Sequence, residues 1–225
     1  MINKIVKTIE EALSGLTDGM TIMVSGFGDA GVPFNLLNGV FDMGVKDLTI
    51  ISNNAGRYDH GISKLLKEDR VKKIICSYPR SLKGSVIEEK YREKKVELEL
   101  IPQGTLAEKI RCGGSGIGGF YTRTGVGTLL TIAKETKNIN GIEYVFETPL
   151  RADFALVRAM KADRWGNLVY NKSARNFGPL MCMAADITVV EVRECVEIGE
   201  IDPEHIVTPS IFVDRILEVE PILML

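Results

Sequence analysis

The sequence predicts an α/β protein: an open, mostly parallel sheet with helices on both faces. Three observations carry this. Short apolar runs recur along the first half of the chain, and segments of helical period separate them. The runs are continuous rather than alternating apolar with polar, as in parallel strands covered on both sides. Turn residues cluster at the ends of those runs, where right-handed crossovers place the connecting loops on one edge of the sheet.

Ile5, Ile9, Leu13 and Leu16 give residues 5–16 one apolar helical face, closed by the turn Thr17-Asp18-Gly19. Residues 21–24 (TIMV) read as a strand. A glycine loop follows, and Pro33 is suited to open the next helix, which ends at Gly44. Residues 48–51 (LTII) predict a buried strand ahead of the loop SNNAG, and residues 60–68 a helix. Residues 73–77 read as a strand, 86–95 as a charged helix and 96–101 as a strand. In the second half, residues 144–146 predict a strand, 152–160 a helix and 187–192 (ITVVEV) a strand. No linker, repeat or low-complexity tract interrupts the chain, so residues 1–225 read as one domain. The loops expected at the carboxyl edge are VSGFGDAG, SNNAG, SYPRS and PQGT, and that edge is where open α/β sheets bind ligands.

Composition narrows the function. Hydrophobic residues make up 45% and charged residues 26% of the 225 positions, as in globular proteins with their own core. Lys+Arg 28 against Asp+Glu 30 leaves a net charge of −2, without the basic excess of a duplex-binding protein. The longest charge-free stretch, Ala30–Phe41, is too short for a membrane span. The N-terminus mixes charge into every turn, unlike a signal peptide, and begins with Met1, so a cytoplasmic chain with nothing removed is expected. Four cysteines without C-x-x-C spacing, and only two histidines, argue for reduced thiols and against a bound metal.

Two segments match G-x-G-x-x-G. Gly26-Phe27-Gly28-Asp29-Ala30-Gly31 follows a strand and precedes a helix, the setting of a dinucleotide site. Asp29 places negative charge where phosphate would lie, and the second strand ends in Ser52-Asn53-Asn54 rather than an acid, which weighs against that reading. A tight turn needing small residues, and a different extended ligand approaching the backbone, stay open. The second match lies in 113–119, five glycines in seven positions, either a flexible loop or a mobile lid. Ser115 lacks a nucleophile-elbow context, because position 117 is Ile. Cys76 and Cys112 fall near predicted loops without a His/Asn partner, and His60 and His205 read as surface or capping residues. Gln103 follows a strand; its amide can donate to a carbonyl or carboxylate, or brace its own turn. Arg123, Arg151, Arg164 and Arg175 read as solvated or structural charges.

VSGFGDAGVP, LTIISNNAG, PQGTLAEKIR, GGSGIGGFYTRTGVGT, ADRWGNLVY, ARNFGP and DPEHIVTPSIFVDRI occur in that order. Together they resemble the alpha (A) subunit of the class I, or 3-oxoacid, CoA-transferases, from about Lys7 to Val219, and IISNNAG, GSGIG, RWGNL and ARNFGP are most similar to the 3-oxoadipate branch. The resemblance implies a ribose-5-phosphate isomerase-like fold and a heteromer with a B chain, of A2B2 type. It implies ping-pong transfer of CoA from succinyl-CoA to a 3-oxoacid through a glutamyl-CoA thioester, in aromatic-compound catabolism. Coenzyme A is then a substrate, with no permanently bound cofactor. The family's nucleophilic Glu lies in a Glu-Asn-Gly motif of the B chain; this sequence has no such tripeptide, so no catalytic nucleophile is expected on it. The CoA-contacting loop corresponds to Val24, Ser25, Gly26, Phe27, Gly28, Asp29 and Ala30, with Ser25-Gly26 where the family usually has two glycines. Gln103 would face the acyl group and stabilise an oxyanion or hold a carboxylate. The glycine-rich 113–119 segment would shield the thioester from water. The alternatives are an acetate, acetoacetate or butyrate CoA-transferase alpha subunit, and a non-catalytic ligand sensor on the same fold.

Overall fold

A computed structural model describes residues 2–57, 59–79, 85–220 and 222. The first half contains β1 (Ile5–Val6), α1 (Ile9–Ala12), β2 (Thr21–Val24), α2 (Phe34–Asp42), β3 (Leu48–Asn54), α3 (Ile62–Lys67), β4 (Val71–Tyr78), α4 (Val86–Arg92), β5 (Glu97–Leu100) and α5 (Gln103–Gly114). The second contains β6 (Phe120–Thr122), β7 (Thr136–Ile139), β8 (Ile142–Glu147), β9 (Ala152–Arg158), β10 (Lys161–Asp163), β11 (Leu168–Val169), α6 (Gly178–Met183), β12 (Ala185–Val192), β13 (Glu194–Val196) and β14 (Arg215–Glu218).

Eight strands form one sheet in the order β1-β14-β12-β9-β2-β3-β4-β5, with every neighbouring pair parallel. The continuous apolar runs find their explanation in its two faces. Ile22, Val24, Ile50, Ile74 and Leu156 pack under α1–α4, while the intervening Met23, Ile51, Ile75, Ala155 and Val157 pack under α5 and α6. The predicted fold class is therefore the observed one. Two small three-stranded sheets, β6-β8-β7 and β11-β10-β13, stand apart from the main sheet.

Several elements differ from expectation. Residues 152–160 form a strand up to Arg158, not a helix. This strand is central: Leu156 pairs in register with Val24 on one side and Val189 on the other. Ala155, Leu156 and Val157 are all fully buried, so no period-2 pattern marks them as strand, and a short apolar run of Ala, Leu and Met reads equally as helix. Residues 5–16 split into β1 and a one-turn helix, because Thr8 is extended and caps Glu11 N–H while the Glu11 carboxylate accepts from Lys7 N–H. Ser52, Asn53 and Asn54 belong to β3 rather than to a loop. Cys76 lies inside β4 and Cys112 inside α5, neither on a loop. The 113–119 cluster is not loop throughout. Gly113 and Gly114 close α5, where a Cβ would stand 1.9 Å from the Leu150 carbonyl oxygen or 2.6 Å from Met183 Cβ, so these two glycines serve close packing. Of the loop SYPRS, Arg80 and Ser81 lie outside the described residues.

Candidate active site at the carboxyl edge

The pairing register aligns one row across the sheet: Arg215, Val189, Leu156, Val24, Ser52, Cys76 and Leu100. Residues just past this row share the carboxyl edge. The chain runs outward from β2 through β3 and β4 to β5, then returns to place β9 on the other side of β2. The β2/β9 boundary is thus the switch point of the sheet, where loops diverge and leave a crevice. The loop after β2 is the glycine loop singled out from the sequence.

That loop is a tight hairpin. Phe27 and Ala30 exchange N–H to C=O bonds of 3.0 and 3.2 Å. Gly26, Gly28 and Gly31 have φ of +132°, +61° and +80°, conformations that glycine adopts without strain. Val24, Ser25 and Gly26 are buried at its base, whereas Phe27 is 53% exposed at the tip. The Ser25 side chain is turned into the protein: its Oγ donates to the Gly31 carbonyl at 2.7 Å and accepts from Arg158 N–H at 3.2 Å. It braces the loop and ties it to the end of β9. The N–H groups of Gly28 and Asp29 donate to nothing among the described residues.

Asp29 forms an ion pair with Arg57, so its charge is largely met within the protein. Its charge therefore weighs less against a dinucleotide than the sequence alone implies, and the structure supplies a stronger objection. The N-terminus of α2, where a pyrophosphate would sit, already receives a carboxylate: Glu191 Oε2 accepts from Leu36 N–H at 3.0 Å. Glu191 comes from β12 and is 1% exposed; burial pushes its carboxyl up from 4.5 to about 7, against the opposing influence of the Leu36 N–H bond and the Arg158 charge.

One strand over, a polar cluster lines the edge. Asn53 Oδ1 accepts from Ser77 Oγ at 2.8 Å and from Gln103 Nε2 at 2.7 Å, and Asn53 is itself 4% exposed. Gln103 opens α5 and is exposed, so one amide hydrogen is fixed on Asn53 while the side chain still faces solvent. Behind it, Lys109 Nζ reaches Glu147 Oε2 at 3.0 Å and Lys134 Nζ reaches the other oxygen at 2.5 Å, a buried network that anchors α5 to β8.

On the opposite side of the glycine loop, the turn 171–177 packs against it. Asn176 Oδ1 accepts from Gly26 N–H at 3.0 Å, and its Nδ2 donates to the Ala30 carbonyl at 2.9 Å. A cavity of about 460 Å³ opens beside them, walled by Asp29–Gly31, Arg158–Met160, Asn171–Ala174 and Arg193. Sequence patterns locate the loop and Gln103 but miss Asn53, Ser77, Arg158 and Asn176; for Asn176 the signal is its place in ARNFGP, unconnected by spacing to the loop.

The remaining candidates lie elsewhere or are engaged. His60 sits edge-on to Phe34 with ring centroids 5.3 Å apart, and His205 is exposed beside Asp202. Arg151 pairs with Asp186 and donates to the Gly113 carbonyl. The four cysteines are unbridged.

The Coenzyme A transferase family matches residues 6–219. The chain belongs to the coenzyme A transferase family. It is 55% identical to the A subunit of the 3-oxoadipate CoA-transferase of Acinetobacter baylyi, over 98% of this chain and 96% of that one. It is 46% identical to the A subunit of the succinyl-CoA:3-ketoacid coenzyme A transferase of Helicobacter pylori J99, over 97% of this chain and 94% of the relative. The fold superposes on an acyl-CoA transferase from Escherichia coli O157:H7 with TM-score 0.86 at 21% identity, covering 97% of this chain and 47% of that one. The chain thus spans about half of that structure and nearly the whole of these two curated relatives. No helix among the described residues is long and apolar enough to cross a membrane.

Proposed function

We propose that this chain is the A subunit of a heteromeric CoA-transferase that moves CoA from succinyl-CoA to 3-oxoadipate. The observation that carries the reading is the 55% identity, across nearly the full length of both chains, to subunits named for that substrate, against 46% to the 3-ketoacid subunits. The partner B subunit, in an A2B2 assembly, supplies the nucleophilic glutamate. Its carboxylate attacks the succinyl-CoA carbonyl and expels CoA thiolate, giving a mixed anhydride. The thiolate then attacks the glutamyl carbonyl, which releases succinate and leaves a glutamyl-CoA thioester. 3-Oxoadipate runs the same two exchanges in reverse, leaving as its CoA thioester and restoring the glutamate carboxylate.

This chain's part is to bind and polarise. The tip of the glycine loop, Phe27–Ala30, receives the neutral arm of CoA by close backbone approach, with Val24, Ser25 and Gly26 as its rigid base. The Asp29–Arg57 pair is compatible with an uncharged ligand segment. Gln103, its amide oriented by Asn53, donates to the developing oxyanion at the acyl carbonyl. The enzyme works in the cytoplasm, in keeping with four unbridged cysteines. The chain co-purified with its B subunit should transfer CoA from succinyl-CoA to 3-oxoadipate. A kcat/KM for acetoacetate about tenfold above that for 3-oxoadipate, a difference of about 1.4 kcal/mol in transition-state stabilisation, would move the assignment to the 3-ketoacid branch.

A further inference from the structure

We infer that Asn176 is the positioning residue that holds the glycine loop in its ligand-accepting form. The inference rests on the reading of that loop as the CoA contact. Asn176 is separated from the loop by 150 positions, yet its amide touches both arms of the hairpin. Oδ1 accepts from Gly26 N–H at 3.0 Å and from Phe177 N–H at 2.7 Å. Nδ2 donates to the Ala30 carbonyl at 2.9 Å and faces the Ala174 and Ser173 carbonyls at 3.1 and 3.3 Å. Only one orientation of the amide satisfies these neighbours, with two N–H groups on the oxygen side and three carbonyls on the nitrogen side. The backbone at Asn176, φ +23° and ψ −115°, is one that L residues rarely adopt, and it is held there by these bonds. Gly31 completes the clamp, since a Cβ there would stand 2.3 Å from the Ala174 carbonyl oxygen.

The clamp sorts the loop's donors. Asn176 consumes the Gly26 N–H, and the Phe27/Ala30 exchange consumes two more. Gly28 and Asp29 N–H are left at the tip for a ligand, while Gly31 N–H, also without an acceptor among the described residues, is buried at the base. Without the amide, both arms of the hairpin lose their ties to the 171–177 turn and keep only the Ser25 brace and the hairpin's own bonds, so a ligand must do more of the ordering as it binds.

The test uses the A–B complex with three variants of this chain. Asn176→Gly removes the amide while suiting the unusual backbone, so the fold is preserved. Asn176→Asp keeps the acceptor but sets a second oxygen against three carbonyls. Gly28→Val alters the tip itself. Titration of coenzyme A should show Kd raised about tenfold in both Asn176 variants, in Asn176→Gly from the loss of two neutral hydrogen bonds to the loop and in Asn176→Asp from the loss of one with an oxygen set against the Ala30 carbonyl in its place. The kcat at saturating succinyl-CoA should stay within about twofold, as binding alone is affected. Amide exchange at Gly26 and Ala30 in the unliganded complex should quicken in Asn176→Gly. A weakened Gly28→Val beside an unchanged Asn176→Gly would overturn the inference and leave the loop reading standing. Unchanged Kd in all three would overturn both. A fall in kcat with Kd unmoved would also overturn it.

Discussion

Gly28→Ala and Gly31→Ala separate two demands that the loop makes on its glycines. Both positions lie in the left-handed region, at φ +61° and +80°, where a side chain costs about 1–2 kcal/mol. At Gly28 a Cβ would meet nothing within 4 Å, so the backbone cost is the whole effect. In a chain of this size it corresponds to a fall in Tm of about 2–8 °C. At Gly31 a Cβ would stand 2.3 Å from the Ala174 carbonyl oxygen and 2.9 Å from Asn176 Nδ2. The obstructing oxygen is backbone, held in a turn that Asn176 braces, so relief requires the turn to move off the loop. Overpacking of this kind adds about 1–3 kcal/mol, for a total near 2–5 kcal/mol. Calorimetric unfolding of the two variants measures the difference, and coenzyme A titration of the complex reads its consequence. A Gly31→Ala chain no less stable than Gly28→Ala would refute the close packing of loop and turn.

Glu191→Gln tests the buried carboxyl. Its folded pKa, about 7, lies above the ordinary 4.5, so the stability it lends is full below the unfolded value and is lost as pH rises through about 7, by about 3 kcal/mol in all. Chemical denaturation across pH 5 to 8 should show wild type losing stability relative to Glu191→Gln; parallel curves would contradict the burial argument. Burial also pushes the thiols of Cys76, Cys182 and Cys195 up to about 12, so at pH 8 the native chain should react with a thiol reagent far more slowly than the denatured chain. Rapid labelling of Cys76 would contradict this. Gln103→Leu should lower kcat by about 10²-fold, the scale of one lost oxyanion donor, with Kd for coenzyme A unmoved; an unchanged kcat would remove Gln103 from the chemistry.

Strands β2, β3 and β4 are legible in the sequence because turn residues bound them and they lie between helical periods. β9 is not, because both of its faces are buried and its two alanines and Leu156 suit a helix. The glycine loop can be located from spacing, and Gln103 from its place after β5. The residues that shape the loop cannot. Arg158 and Asn176 meet it only through the return of the chain that places β9 beside β2, and Glu191 reaches α2 from β12, one strand further out. The glycine cluster misleads for a related reason: Gly113 and Gly114 answer to Leu150 and Met183, contacts that no local pattern encodes.

The division of labour within the heteromer is tested most directly by trapping the covalent intermediate. The A–B complex is incubated with succinyl-CoA, the thioester is reduced with borohydride, and the modified glutamate is mapped by mass spectrometry. The modified residue should be a glutamate of the B chain, with every glutamate of this chain unmodified. Glu147, held between two lysines, and Glu191, bonded to α2, are buried and committed to the fold. A reduced glutamate on this chain, at either of these positions or any other, would contradict the account.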